Sequence, residues 1–335
     1  MEGDSRARTG LIIGKFLPPH RGHVRLVELA LRRVDELTIL VCSLQDEPID
    51  GALRAAWMRE LFPSARVVHV TDENPSFPHE HPCFWDLWVA TIRRHVQTGP
   101  DIVFTSEGYG DELARRLRAR HECFDLERKH VPVSGTAIRN DPYANWEHLP
   151  DCVRPFYAKR VVITGSECTG KTTLAEALAR HYRTAWVPEF GRTYIDRKNA
   201  PFEPGDIRAI VEGQVASEDL AARAANKLLI LDTDLISTAV YSAHYFGEAP
   251  EIIVSTLAGR KRADLYLLAD IDVPWVADGL HRDRETMRED MQELFRDALR
   301  ARGQAWVNVR GTRDERMRSA IEAIDALFRA RGRTL

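Results

Sequence analysis

The chain alternates short apolar runs with longer amphipathic stretches along its whole length. In the first half, runs rich in Leu, Ile and Val fall at 11–13, 37–42, 66–70 and 102–105. Between them, apolar residues at helical spacing predict helices near 23–34, 52–61, 84–97 and 110–120. Strands this short and apolar, each followed by a helix, predict parallel βαβ units. The rhythm breaks at "NDPYANWEHLPDCVRPFYAKR", which holds three prolines and places a boundary close to Phe156. A second series then begins, with strands predicted at 160–164, 185–188, 228–232, 264–269 and 306–309. Its helices are predicted near 170–182, 206–226, 286–302 and 314–331. The pattern therefore predicts an α/β protein with two parallel-sheet domains, 1–155 and 156–335.

Composition narrows the class. A chain of 335 residues is long enough for two domains, each with its own core. Hydrophobic residues make up 44% and charged residues 29%, a globular balance. A net charge of −3 supplies no global field that recruits nucleic acid or an acidic membrane. The five cysteines, Cys42, Cys83, Cys123, Cys152 and Cys168, form no C-x-x-C pair. That usage fits a reduced, cytoplasmic protein. The opening "MEGDSRARTG" lacks the apolar centre of a signal peptide, and no apolar run approaches the roughly 20 residues of a membrane span.

The most specific motif is "GSECTGKT", residues 165–172, which matches G-x-x-x-x-G-K-[ST] between a predicted strand and a predicted helix. Gly165 and Gly170 let the backbone N–H groups of Ser166, Glu167, Cys168 and Thr169 turn toward phosphate oxygens, and the helix N-terminus adds partial positive charge. Lys171 is expected to meet the β- and γ-phosphates of ATP. Thr172, followed by Thr173, is expected to hold Mg²⁺ through its hydroxyl. The competing reading is an ordinary glycine turn. Downstream, "KLLILDTD" ends an apolar strand in Asp232 and Asp234, a candidate Mg²⁺ carboxylate and a candidate substrate-binding carboxylate; helix capping competes. "WVPEFGR" places Glu189 and Arg192 past another strand, where ligands gather in open parallel sheets. Glu189 is the first candidate for the acceptor base and Asp234 the second, with a surface salt bridge as the alternative for Glu189. "GLHRDRETMRED" carries Arg282 and Arg284, candidates for neutralising transferring phosphate or merely a solvated face. The set describes a small-molecule kinase.

The first half has chemistry of its own. "LIIGKFLPPHRGHVRLVELA" joins a strand to a helix through Gly14, Lys15, Phe16, His20 and His23. Two imidazoles at a helix start can donate to a crowded phosphate; a metal site is a weak rival without a third ligand. "VPVSGTAIRND" offers Ser134, Thr136 and Arg139 as a second phosphate grip, or as a simple cap. Trp85 and Trp88 sit three apart on one helix face, as core residues or as a platform for a pyridinium. Trp275 and Asp278 in "PWVADGL" are the corresponding candidates in the second half. "PHEHPC" reads as a loop rather than a metal site.

Together, H-x-G-H and "SGTAIR" resemble the nucleotidyltransferases that join ATP to a phosphorylated acceptor. Read with "VVITGSECTGKTT", "WVPEFGR", "LDTD" and "PWVADGL", in that order, the chain resembles the NadR-type bifunctional family from about residue 10 to about residue 330. The resemblance implies an N-terminal Rossmann-like nucleotidyltransferase fold and a C-terminal P-loop kinase fold. It implies nicotinamide-nucleotide adenylyltransferase and ribosylnicotinamide kinase activities, with Mg²⁺ and ATP, acting on nicotinamide riboside and nicotinamide mononucleotide to give NAD. Some members carry a DNA-binding helix-turn-helix before the "GKF" strand. Here about nine residues precede that strand, so DNA is not an expected partner. Other readings stay open: one working half with the other a nucleotide sensor, a regulator without flux, or a kinase for another nucleoside. Oligomeric state is open too, a homo-oligomer included.

Overall fold

The computed structural model describes residues 7–275 and 287–329. The chain divides into two compact units, Met1–Val153 and Arg154–Leu335.

The first unit runs β1 (Thr9–Gly14), α1 (Arg21–Leu31), β2 (Glu36–Cys42), α2 (Gly51–Leu61), β3 (Arg66–Val70), α3 (Phe84–His95), β4 (Ile102–Thr105), α4 (Gly110–Leu117), β5 (Arg120–Cys123) and α5 (Gly135–Asn140). Its sheet is parallel, in the order β3-β2-β1-β4-β5. Strand side chains alternate between faces, and the core divides accordingly. Ile12, Ile39, Val41 and Phe104 join α1 and α2 on one side. Leu11, Leu40 and Val103 join α3 and α4 on the other. The strand order reverses at β1, so β1 and β4 diverge into helices on opposite faces. That divergence opens a crevice at their carboxyl ends, where Gly14 leads into the histidine motif.

The second unit runs α6 (Arg154–Tyr157), β6 (Lys159–Thr164), α7 (Lys171–Tyr182), β7 (Trp186–Val187), α8 (Phe190–Lys198), α9 (Ile207–Ala224), β8 (Leu228–Asp232), α10 (Leu235–Phe246), α11 (Glu251–Gly259), β9 (Leu265–Ala269), α12 (Arg288–Ala301), β10 (Trp306–Val309) and α13 (Arg313–Arg329). Its sheet is also parallel, in the order β10-β9-β6-β8-β7. β6, β8 and β9 are the apolar runs and are almost wholly buried, as strands covered on both faces must be. The P-loop leaves the central strand.

Several elements depart from the pattern in the sequence. β5 reads "RHEC", without an aliphatic residue, and forms as an edge strand pairing only with β4. The helix predicted to residue 120 stops at Leu117, because Arg118 adopts φ +57° and turns the chain into β5. α8 buries no residue fully and so carries no apolar stripe. Six-residue α5 is too short for periodicity to register. Among the described residues, no helix is long and apolar enough to cross a membrane.

Candidate active sites

In the second unit, β6 ends at Thr164 and the backbone turns through Gly165 at φ +128°, Cys168 at +55° and Gly170 at +79° before α7 begins at Lys171. A side chain at Gly165 would place its Cβ 2.7 Å from the Ala269 carbonyl, so the turn requires glycine there. The loop is internally tied. Thr169 Oγ1 donates to Ser166 O at 2.8 Å, and Lys171 Nζ donates to the same carbonyl at 2.9 Å. Thr172 Oγ1 donates to Asp232 Oδ2 at 2.6 Å, joining the P-loop helix to the end of β8. Burial raises the Asp232 carboxyl above its ordinary value, against the Thr172 hydroxyl and the Lys171 charge. Asp232 Oδ1 is buried and accepts no hydrogen bond. A hydroxyl beside a carboxylate with a spare oxygen is a hard-oxygen set that fits Mg²⁺.

Asp234 lies elsewhere in the hydrogen-bond scheme. Its Oδ1 accepts from Ile236 N at 3.0 Å, capping α10, and its Oδ2 accepts from the Tyr266 hydroxyl. Burial pushes its carboxyl up to about 6, with the Tyr266 bond opposing. Glu189 is the residue before α8, two past Val187, whose register partner is Leu231. That register brings the turn carrying Glu189 out at the carboxyl end of the sheet, the end at which β8 finishes in Asp232. Arg192 follows on the first turn of α8 and faces Asp196 at 3.9 Å. Trp275 lies past β9 with its indole nitrogen buried. Asp278, Arg282 and Arg284 lie outside the described residues.

Two residues the sequence did not single out hold this loop. Gln292 accepts from Ser166 N at 3.0 Å and donates to Ala269 O at 3.0 Å. Buried Arg316 donates to Thr169 O and to Asp270 O, each at 2.8 Å, to Gly311 O at 3.0 Å, and to Asp272. One guanidinium thus fixes the P-loop to the loops after β9 and β10.

In the first unit, Phe16 leaves β1 with φ +47° and its ring is buried. His20 caps α1: its Nδ1 accepts from Gly22 N at 3.1 Å, and His23 Nδ1 accepts from His20 N at 3.3 Å. The two rings stack with centroids 3.7 Å apart, and Phe16 meets His23 edge-on at 4.9 Å. Because each Nδ1 accepts, each ring carries its proton on Nε2. Burial lowers His20 to about 4, with Arg128 and His148 adding to the effect. Burial takes His23 well below its ordinary value, with His20 and Arg128 adding. The pair therefore offers two neutral donors at pH 7.

Ser134 caps α5 by accepting from Ala137 N at 3.0 Å. Arg139 donates to Leu17 O at 2.6 Å and to Thr136 Oγ1 at 3.1 Å, which ties the second motif to the loop carrying the histidines. Lys15 Nζ pairs with Glu47 Oε1 at 2.9 Å and donates to Ser76 Oγ at 3.2 Å. Arg54, fully buried, donates to Lys15 O, to Cys42 O, to Ile49 O and to the Glu47 carboxylate. The sequence signal for it was an arginine inside the apolar helix "ALRAAWM". Trp85 and Trp88 are half-buried against the core. Arg116 stands 5.6 Å over the Trp85 ring and Trp88 Nε1 donates to Pro75 O at 3.0 Å, so both indoles have partners within the unit.

Residues 160–316 match a family described as AAA domain. The trifunctional NAD biosynthesis/regulator protein NadR of Escherichia coli (strain K12) is 30% identical over 324 residues, 90% of this chain and 78% of that protein. The chain belongs to the NadR family. The Salmonella typhimurium NadR is 29% identical over 346 residues, covering 96% of this chain and 84% of that protein. Among solved structures, a NadR protein in complex with NR superposes with a TM-score of 0.77 at 23% identity, covering 96% of each chain. A NadR protein in complex with NAD and AMP-PNP gives the same TM-score at 24% identity, again covering 96% of each. The likeness to these NadR structures is one of fold.

Proposed function

We propose that this chain is a bifunctional enzyme of NAD synthesis. Its second unit transfers the γ-phosphoryl group of ATP to nicotinamide riboside, giving nicotinamide mononucleotide and ADP. Its first unit transfers the adenylyl group of ATP to that mononucleotide, giving NAD and pyrophosphate. One observation supports the reading: two separate side-chain clusters, each with donors suited to phosphate, stand past the central strands of two separate sheets. One is Lys171 with Thr172 and Asp232; the other is the stacked pair His20 and His23. Membership of the NadR family supports it, as do the names of the relatives and the NR, NAD and AMP-PNP held by NadR structures.

In the kinase unit, Lys171 leaves the Ser166 carbonyl to meet the β- and γ-phosphates. Thr172 and Asp232 would hold Mg²⁺, which supplies charge neutralisation between those phosphates. Glu189 orients the riboside 5′-hydroxyl and accepts its proton. Asp234 is less suited, since both its oxygens are engaged. Arg192, Arg282 and Arg284 add positive charge, and Trp275 with Asp278 serves the nicotinamide. In the adenylyltransferase unit, His20 and His23 donate from Nε2 to the α-phosphate as it gains charge. Ser134, Thr136, Arg139 and Lys15 serve the β- and γ-phosphates. No protein nucleophile is required; positioning and charge stabilisation suffice.

Separate assays with nicotinamide riboside and with nicotinamide mononucleotide, each with ATP and Mg²⁺, test the proposal by chromatography of the products. Both steps are expected. A single active step would make the other unit a nucleotide sensor, and preferred phosphorylation of another nucleoside would change the kinase substrate. The word "regulator" in the relatives' name motivates a second reading, sequence-specific DNA binding, which a gel-shift assay at physiological salt tests.

A further inference from the structure

A buried polar chain runs from the start of β6 to the turn that carries Glu189. Phe190 N donates to Gln214 Oε1 at 3.1 Å. Gln214 Nε2 donates to Glu218 Oε1 at 3.1 Å, one turn further along α9. Glu218 Oε2 accepts from Arg160 Nη1 at 3.0 Å and from Arg260 Nη2 at 3.1 Å. Arg260 also binds Asp219, at 2.7 and 3.3 Å. Gln214, Glu218 and Arg160 are all buried.

The arrangement leaves Gln214 one orientation. Its carbonyl faces a backbone N–H and its amino group faces a carboxylate, so a flipped amide would oppose donor to donor and acceptor to acceptor. The N–H it satisfies is an orphan: Phe190 begins α8, and Glu189 before it makes no side-chain cap. The neighbouring residue fits the same purpose. A Cβ on Gly213 would lie 2.1 Å from the Phe190 ring, so the bare backbone there is the seat of that ring. α9 therefore grips Phe190 twice, by its amide and by its ring. Three polar side chains in succession, Gln214, Glu218 and Arg160, are buried behind one backbone N–H, next to the residue proposed for the acceptor hydroxyl.

We infer that Gln214 is a positioning residue for phosphoryl transfer, fixing the Glu189–Phe190 turn through Phe190 N while Glu218, held between Arg160 and Arg260, fixes Gln214. The inference rests on the reading of Glu189 given above. Methionine at 214 keeps the volume and removes the acceptor; glutamate keeps an acceptor but sets a carboxylate against Glu218.

The test is single-turnover phosphorylation of nicotinamide riboside, with ATP affinity and thermal melting measured alongside. Gln214→Met is expected to slow transfer about 10- to 100-fold, the scale of a small misplacement of a reacting group, with ATP affinity unchanged. The same change in a Glu189→Gln background is expected to cost nothing further, because Gln214 acts only through Glu189. A loss that persists undiminished in that background overturns the inference, as does an unchanged rate for Gln214→Met alone. If Glu189→Gln itself transfers at the parent rate, the reading of Glu189 fails and the inference falls with it. If Gln214→Met does not fold, Glu218→Gln decides: with its amide oxygen held by Arg160 it presents an amino group to Gln214, which turns the Gln214 carbonyl away from Phe190 N. Slower transfer with intact ATP affinity supports the inference, and an unchanged rate overturns it.

Discussion

Thr172 Oγ1 and Asp232 Oδ2 stand 2.6 Å apart, which brings the first turn of the P-loop helix to the carboxyl end of β8. The second oxygen of Asp232 is buried without a hydrogen bond. This pair is where a divalent cation fits. Asp232→Asn keeps the shape and removes the charge. The Mg²⁺ concentration giving half-maximal riboside phosphorylation should rise about 10- to 100-fold. An unchanged Mg²⁺ dependence would remove Asp232 from the cation site.

Glu189 and Asp234 should separate cleanly. Glu189→Gln should slow single-turnover phosphoryl transfer about 10²- to 10⁴-fold, the range of a general base, with ATP affinity retained. Asp234→Ala should retain most of the transfer rate and lose roughly 2–4 kcal/mol of stability, about 1 for the cap of α10 and about 1–3 for the buried Tyr266 hydroxyl left without its acceptor. Thermal melting beside stopped-flow transfer distinguishes the two, and the reverse result exchanges their roles.

The two histidines predict a pH dependence with a definite sign. Their imidazoles are held below the ordinary value of 6.5, His20 at about 4. Below pH 6.5 the unfolded chain therefore binds protons that the folded unit does not. Stability is full above pH 6.5 and falls as pH drops toward 4, by up to about 1.4 kcal/mol per pH unit for each histidine. Denaturant unfolding at pH 7.5 and pH 5 reads this directly, and His20→Asn should flatten part of the slope. Imidazole signals titrating near 6.5 by NMR would contradict it.

Arg316 holds three backbone carbonyls and Asp272 from a buried position on α13. Arg316→Met leaves those acceptors unpaired. The second unit should lose roughly 3–5 kcal/mol of stability, the cost of breaking a buried charged cluster from one side. ATP affinity should fall with it, because Thr169 is released. Chemical denaturation and equilibrium nucleotide binding check both.

Much of this was legible in the chain, and for local reasons. "GSECTGKT" announces itself because the turn needs glycines at fixed places and the chemistry needs Lys171 and Thr172 directly after. β2, β6, β8 and β9 announce themselves because strands buried on both faces must be apolar throughout. Asp232 follows from its place at the end of such a strand. What stayed hidden depends on partners far along the chain. Arg316 reaches Thr169 across 147 residues and Gln292 reaches Ser166 across 126. In the sequence both look like the many polar residues of exposed helix faces. Gln214 is hidden in the same way, since its acceptor role exists only once α8 lies against α9. β5 was invisible because an edge strand can be stabilised by backbone pairing alone.

Two independent catalytic sites acting in sequence, one in each unit, would show themselves in the products. The most direct measurement follows the products from nicotinamide riboside, ATP and Mg²⁺ with the parent chain, Lys171→Ala and His23→Ala. The parent chain should make NAD. Lys171→Ala should leave the riboside unconverted yet make NAD when given nicotinamide mononucleotide. His23→Ala should stop at the mononucleotide and accumulate it. Loss of both steps in either variant, with the protein still folded by circular dichroism, would contradict the account.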